Sequence, residues 1–214
     1  PDEDKGILFF LTSRRECDDA CKLLHELIAK ENTDINPYCA IVASGIKDKD
    51  MGYAEESNLY KQLQGVGDKK GSFNRKIVMA TNSVESSITI KNLKYVIDSG
   101  YELVSSYNPD TMAKALKKQF TSQAQMKQRK GRCGRQEEGV FYGLYTEKQF
   151  KSQPAEPTPD ILKDDITDTL LDFLCRDDIP DLHSALELMN KLLSTPKESY
   201  LRSSIFQLLS LDAI

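Results

Sequence analysis

No apolar run in this 214-residue sequence approaches the ~20 residues needed to span a membrane, and no signal-peptide pattern opens it, so a membrane partner is not expected. A disulfide-framework spacing of cysteines is lacking too. The five, at positions 17, 21, 39, 133 and 175, are an odd number without a disulfide-framework spacing, which points to an intracellular, reducing compartment, cytoplasm or nucleus. Two phosphate-binding signatures are missing. Gly65, Gly67 and Gly71 do not form G-x-G-x-x-G, and their loop precedes a strand instead of following one; no G-x-x-x-x-G-K-[ST] occurs anywhere. A D-E-x-H run is absent as well, so nucleotide chemistry here needs residues supplied from elsewhere. The most informative absence is of acid. Thr111 to Gln136 holds eight Lys/Arg and no Asp or Glu, whereas Ser152 to Asn190 holds ten acids against Lys163 and Arg176 alone. The formal net charge of −4 hides this segregation, which predicts one cationic working surface beside an acidic flank.

What is present is ordinary for a globular chain, 39% hydrophobic and 29% charged, and long enough to bury a core. The first residue is Pro1, which suggests a piece of something longer. Gly6–Thr12, Tyr38–Ala43, Lys76–Ala80 and Tyr95–Asp98 are short continuous apolar runs, the mark of strands buried on both faces. Ser13 with Glu16 predicts a capping box, followed by Ala20, Cys21, Leu24, Leu27 and Ile28 at helical spacing. Cys17, Cys21 and His25 share one face of that helix; a metal there would want a fourth ligand, and packing is the simpler reading. A helix is expected over Ala54–Leu63 and a glycine-rich loop over Gln64–Asn74. Strands alternating with helices imply an α/β fold with a parallel sheet. Beyond Tyr101 the pattern changes to a hairpin, Glu102–Tyr107 and Ala115–Phe120 around Asn108-Pro109-Asp110, then a helix from near Ser122 and a strand over Val140–Tyr145. Pro154, Pro157 and Pro159 mark a linker, placing a domain boundary near Lys151. Two apolar stripes follow, Ile161, Ile166, Leu170, Leu171, Phe173 and Leu174, then Leu186, Met189, Leu192 and Leu193, so residues 151–214 read as helical.

Two stretches carry chemistry. QRKGRCGR, Gln128 to Arg135, sets four cations among two glycines, as a site gripping a polyanion at close range would; a solvated helix face is the plainer alternative. ATNSVESSIT, Ala80 to Thr89, follows a strand, where parallel sheets place ligands, and offers hydroxyls and amides to phosphate oxygens; a turn and helix cap is its plainer alternative. In this order they resemble motifs VI and V of the DEAH/RHA group of superfamily 2 RNA helicases. ILFFLTSRREC (Ile7–Cys17) resembles the motif IV region that opens the second RecA-like domain. VIDSGYELVSSYNPDT (Val96–Thr111) resembles the strand and hairpin between motifs V and VI. GVFYGLYTEKQF, with the proline linker and an Ile-Leu helix, is similar to the passage into a winged-helix domain. The resemblance covers nearly the whole chain and fits viral and RHA-like branches.

It implies a RecA-like domain over 1–150, with a small, mainly helical, winged-helix-like part over 151–214. The family hydrolyses ATP between two RecA-like domains and moves along single-stranded RNA. The first domain, upstream, holds the P-loop and DEAH box and with them most of the grip on ATP and Mg²⁺, so this chain alone is expected to be inactive. By similarity Arg135 is the arginine finger, Arg132 reaches the nucleotide phosphates and Gln128 stands near the γ-phosphate and the attacking water. A planar guanidinium suits the charge spread over phosphoryl oxygens, and Gly131 and Gly134 let the backbone approach. Ser87 corresponds to a residue on the nucleotide side, and Glu85, taken with it as nucleotide-binding, shares its loop and orients it. Thr81, Asn82 and Thr89 fall to RNA phosphates, as do Lys114, Lys117 and Lys118 of the hairpin, although edge lysines also serve to block aggregation. Arg129 and Lys130 are structural or RNA-facing. Lys91 stands where many relatives carry a ribose-binding acid, leaving nucleobase and sugar preference open. Two rival functions remain, a non-catalytic RNA-binding or docking module with the same fold, and an interaction domain whose octet docks an acidic partner.

Overall fold

The computed structural model describes residues 5–31, 34–44, 48–56, 73–85, 89–135 and 138–214, with backbone alone at 48–50 and 83. By contacts the chain forms two compact units, residues 1–103 with 118–157, and residues 104–117 with 158–214.

The first unit is built on a five-stranded parallel sheet in the order β2-β3-β1-β4-β7. Its strands are β1 (Gly6–Phe10), β2 (Pro37–Val42), β3 (Arg75–Ala80), β4 (Leu93–Asp98) and β7 (Val140–Gly143). Alternation divides the core between the two faces. Leu8 and Phe10 pack with Val42, Val78 and Val96, while Ile7 and Phe9 join Ile77 and Met79 against Cys17 and Cys21 of α1 (Arg14–Lys30). β3, buried from Lys76 onward, is enclosed as its unbroken apolar run predicts. The α/β expectation is therefore met. β5 (Tyr101–Asn108) and β6 (Ala113–Phe120) form the expected hairpin, a two-stranded ribbon of their own. α3 (Gln123–Lys130) and the short α4 (Glu147–Ser152) complete this unit.

The second unit, apart from the distal ribbon, is helical: α5 (Thr167–Leu174), α6 (Leu182–Asn190) and α7 (Glu198–Ser210) around Ile166, Leu170, Ala185, Met189 and Leu208. No helix among the described residues is long and apolar enough to cross a membrane.

Several expectations need correction. Ser13 caps α1 by accepting from the Glu16 amide at 3.2 Å, but Glu16 does not close a capping box. Its carboxylate instead accepts from the Thr12 amide and hydroxyl and pairs with Lys118 at 2.8 Å, because those donors lie within reach and the helix N-terminus already has Ser13. The described helix before β3 is α2 (Asp48–Glu55), upstream of the expected Ala54–Leu63; residues 57–63, and most of the glycine-rich loop, lie outside the described residues. Leu193 of the second stripe is fully exposed, since it lies past the end of α6. Finally, Cys21 and Cys39 are joined as a disulfide, Cα to Cα 5.9 Å. An odd count could not reveal a pair brought together by α1 packing on β2. Cys17 remains a buried thiol, pushed up to about 12 chiefly by burial, and His25 is exposed. Cys17 and Cys21 pack against Ile77 and Met79, and His25 does not join them.

Candidate functional site

α3 begins at Ser122, whose hydroxyl accepts from the Gln125 amide while the Gln125 side chain returns to the Ser122 amide, a complete capping box. The next two amides, Gln123 and Ala124, donate to the carbonyls of Pro154 and Ala155 at 2.9 and 3.0 Å. The electropositive end of the helix is therefore sealed by protein. What α3 presents to an incoming ligand is its electronegative C-terminal end, where only cationic side chains can attract phosphate. The octet straddles this end, with Gln128, Arg129 and Lys130 in the last turn and Gly131 to Arg135 in the turns beyond it.

Within α3, helical phase sets Arg129 apart from Lys127 and Lys130. Met126 and Arg129, three apart, are the buried residues of α3. Arg129, wholly buried, donates from Nε to Glu85 at 2.6 Å and from Nη1 to Asp98 at 2.9 Å and the Tyr101 carbonyl at 3.1 Å. Its guanidinium lies 5.0 Å from the centre of the Phe10 ring. Asp98, at the C-terminal end of β4, also accepts from the Gly100 amide and from the Tyr145 hydroxyl. Gly100 is required here. Its φ is +77°, and a Cβ would sit 2.6 Å from the Tyr145 ring. Arg129 is thus structural, an alternative the sequence left open. Asp98, Gly100 and Tyr145 escaped notice there. Their one signal was a lone acid ending an apolar strand, followed by glycine.

One guanidinium faces two buried carboxylates. Burial works against the Arg129 charge, but Asp98 and Glu85 outweigh it and hold its pKa above the ordinary value. Burial lifts the Glu85 pKa, because Arg129, shared with Asp98, offsets only part of the cost. Glu85 ends the 3₁₀ turn Asn82–Val84, so this ion pair fastens the loop after β3 to the octet helix. The two stretches singled out in the sequence are brought together by a buried charge cluster.

The other octet residues differ in exposure. Arg132 is 5% exposed, and its pKa is lowered first by burial and then by the Arg135 charge, which together exceed the help from Glu85. Gln128 and Arg135 are exposed, and Arg135 Nε donates to the Gly131 carbonyl at 3.2 Å. Gly134 has φ +77° and so needs glycine; Gly131, at φ −66°, does not. Of the loop residues, Thr81 is 7% exposed, Asn82 and Thr89 are exposed, and Ser87 lies outside the described residues. Lys114, Lys117 and Lys118 are exposed; Lys114 is 3.8 Å from Asp165, and Lys118 pairs with Glu16 beside the Tyr101 ring. Lys91 pairs with Glu56 at 2.8 Å.

Residues 2–137 match the family model described as the helicase conserved C-terminal domain. This chain is a helicase C-terminal domain of the DEAH/RHA type. It is 38% identical over 200 residues to L540 of Acanthamoeba polyphaga mimivirus, provisionally named an ATP-dependent RNA helicase, covering 94% of this chain and 27% of that protein. It is 31% identical over 210 residues to the human ATP-dependent RNA helicase DHX33, covering 98% and 27% respectively. The structure superposes on the Escherichia coli DExH-box NTPase HrpB with a TM-score of 0.74 at 26% identity, over all of this chain and 24% of that one. The helicase domain thus spans about a quarter of the length of such relatives.

Proposed function

We propose that this helicase domain is the second RecA-like half of an ATP-dependent RNA helicase, with residues 1–150 forming one wall of the ATP cleft and a winged-helix-like region beginning at 151. A first RecA-like domain, upstream on the same chain, holds the P-loop, the DEAH box and most of the contacts to ATP and Mg²⁺. Bound ATP supplies the phosphoanhydride bond that is broken. Arg135 places its guanidinium against the charge that develops on the transferred phosphoryl oxygens, and Arg132 does so from a more desolvated position, where each charge-assisted hydrogen bond is stronger. Gln128 orients the attacking water. Glu85 positions the loop that carries Ser87, and Thr81, Asn82 and Thr89 together with Lys114, Lys117 and Lys118 hold the phosphates of single-stranded RNA without reading its bases.

The observation that carries this reading is the separation of roles within the octet. Arg129 is consumed by Asp98 and Glu85, while Gln128 and Arg135 are left exposed beside Arg132, whose charge burial and Arg135 disfavour. A guanidinium so placed gains most from a polyanion. The donor set of guanidinium and amide groups fits phosphate.

The test is ATP hydrolysis by the full-length protein with and without single-stranded RNA, beside an Arg135→Ala variant. The expected result is RNA-stimulated hydrolysis that falls by about two powers of ten or more in the variant. Equal rates in parent and variant, or no hydrolysis in either, would leave a non-catalytic RNA-binding module on a helicase fold.

A further inference from the structure

Among the described strands, none in the five-stranded sheet pairs with the ribbon β5–β6 that carries the lysines. It pairs with itself alone, and every residue from Ala113 to Gln119 is exposed. An isolated two-stranded ribbon is marginal in water, so something else must fix its distal half. Among residues 104–117 the one buried residue is Tyr107, 2% exposed.

Tyr107 is tied down at every polar atom it has. Its amide donates to the Lys163 carbonyl at 2.9 Å, and its carbonyl accepts from the Tyr200 hydroxyl at 3.1 Å. Its own hydroxyl lies 2.5 Å from the Ser203 hydroxyl and accepts from Gln207 Nε2 at 2.9 Å. The Tyr200 ring meets it edge-on at 5.9 Å. Tyr200, Ser203 and Gln207 lie on α7 at spacings of three and four, so one face of one helix supplies these side-chain contacts. The base of the ribbon, by contrast, belongs to the first unit, where Tyr101 stacks on Phe120.

We infer that Tyr107 is a positioning residue which makes the distal ribbon, with Lys114 and Lys117, part of the C-terminal helical unit instead of the sheet unit from which it springs. Within that unit the phenol hydroxyl fixes the distal ribbon against α7 and so sets the attitude of its lysine-bearing strand. The functional part of this inference rests on the helicase reading above. On that reading hydrolysis draws on the octet, the loop after β3 and the upstream domain but not on the ribbon, whereas strand separation also needs the ribbon held in place, so loss of the hydroxyl separates the two.

Tyr107→Phe keeps the ring and removes both hydroxyl contacts, and Ser203→Ala with Gln207→Leu removes them from the other side. In the full-length protein, hydrogen–deuterium exchange of amides 104–117 should quicken by roughly tenfold in either variant while those of β1, β3 and β4 hold. RNA-stimulated ATP hydrolysis should stay within about twofold, and duplex unwound per ATP should fall severalfold. Unchanged exchange in both variants would overturn the anchor itself. Faster exchange with full unwinding would overturn its positioning role, as would a parallel fall in hydrolysis and unwinding, the mark of general destabilisation. If the parent shows no RNA-stimulated hydrolysis the helicase reading fails, and the exchange measurement still decides the anchor.

Discussion

Arg129 has one positive charge with which to answer two buried carboxylates. Removing it would strand Asp98 and Glu85, one completely buried and the other nearly so. Breaking a buried pair from one side typically costs about 3–5 kcal/mol. Arg129→Met should therefore lower stability by that order, read as a shift of the urea midpoint at constant slope. Arg129→Lys should recover only part of it, since an ammonium cannot donate in the fork that reaches Glu85, Asp98 and the Tyr101 carbonyl together. An Arg129→Met protein as stable as the parent would show that the cluster contributes nothing. This role was half legible in the sequence. The spacing of Met126 and Arg129 put both on one helix face, but whether that face looked inward depended on Asp98 and Glu85, which lie 31 and 44 residues away.

At the scale of elements, helix ends are where this fold does its most specific work. The start of α3 was readable, because Ser122 and Gln125 form a local pattern. That Pro154 and Ala155 would close the remaining amides was not, since a linker rich in proline gives no sign of which helix it covers. Ser122→Ala should cost about 1 kcal/mol in thermal or chemical unfolding. The other end to be sealed is that of α2. Lys76, 1% exposed at the start of β3, donates to the carbonyls of Ala54 at 2.7 Å, Glu55 at 3.4 Å and Glu56 at 2.8 Å. Burial, the leading cause, lowers its pKa from 10.5 to about 8. Below pH 8 folded and unfolded chains both carry the proton, and the cost of burying the charge is felt in full. Between about 8 and 10.5 the unfolded chain holds the proton that the folded chain has released. Stability then rises with pH, by at most about 1.4 kcal/mol per unit. Denaturant midpoints taken from pH 7.5 to 10 should show this rise in the parent and lose it in Lys76→Met. Parallel curves would mean that Lys76 titrates normally.

For the whole molecule, charge segregation is the property with the clearest external consequence. Three ribbon lysines, each able to displace a counterion from a single strand, should make RNA affinity salt-dependent; changing Lys114, Lys117 and Lys118 to Gln should make the log–log salt slope shallower by up to about 2. An unchanged slope would mean that none of the three meets the strand, with Lys114 and Lys118 kept by Asp165 and Glu16. The sheet was legible because each strand announces itself by a local apolar run. The Cys21–Cys39 bond, the burial of Lys76 and the Tyr107 anchor were not, because each joins segments that local pattern treats separately. Strand order has a consequence for the chain during its synthesis. Ile7 of the central strand pairs with Ile77 on one side and Tyr95 on the other. At roughly 5–20 residues per second, about seventy residues amount to roughly 4–14 s between the emergence of GILFF from the ribosome and that of its first neighbour in the sheet. The central strand of the sheet is thus the earliest made of the five and waits longest for a neighbour, so its apolar residues stay uncovered longest while the chain is being made.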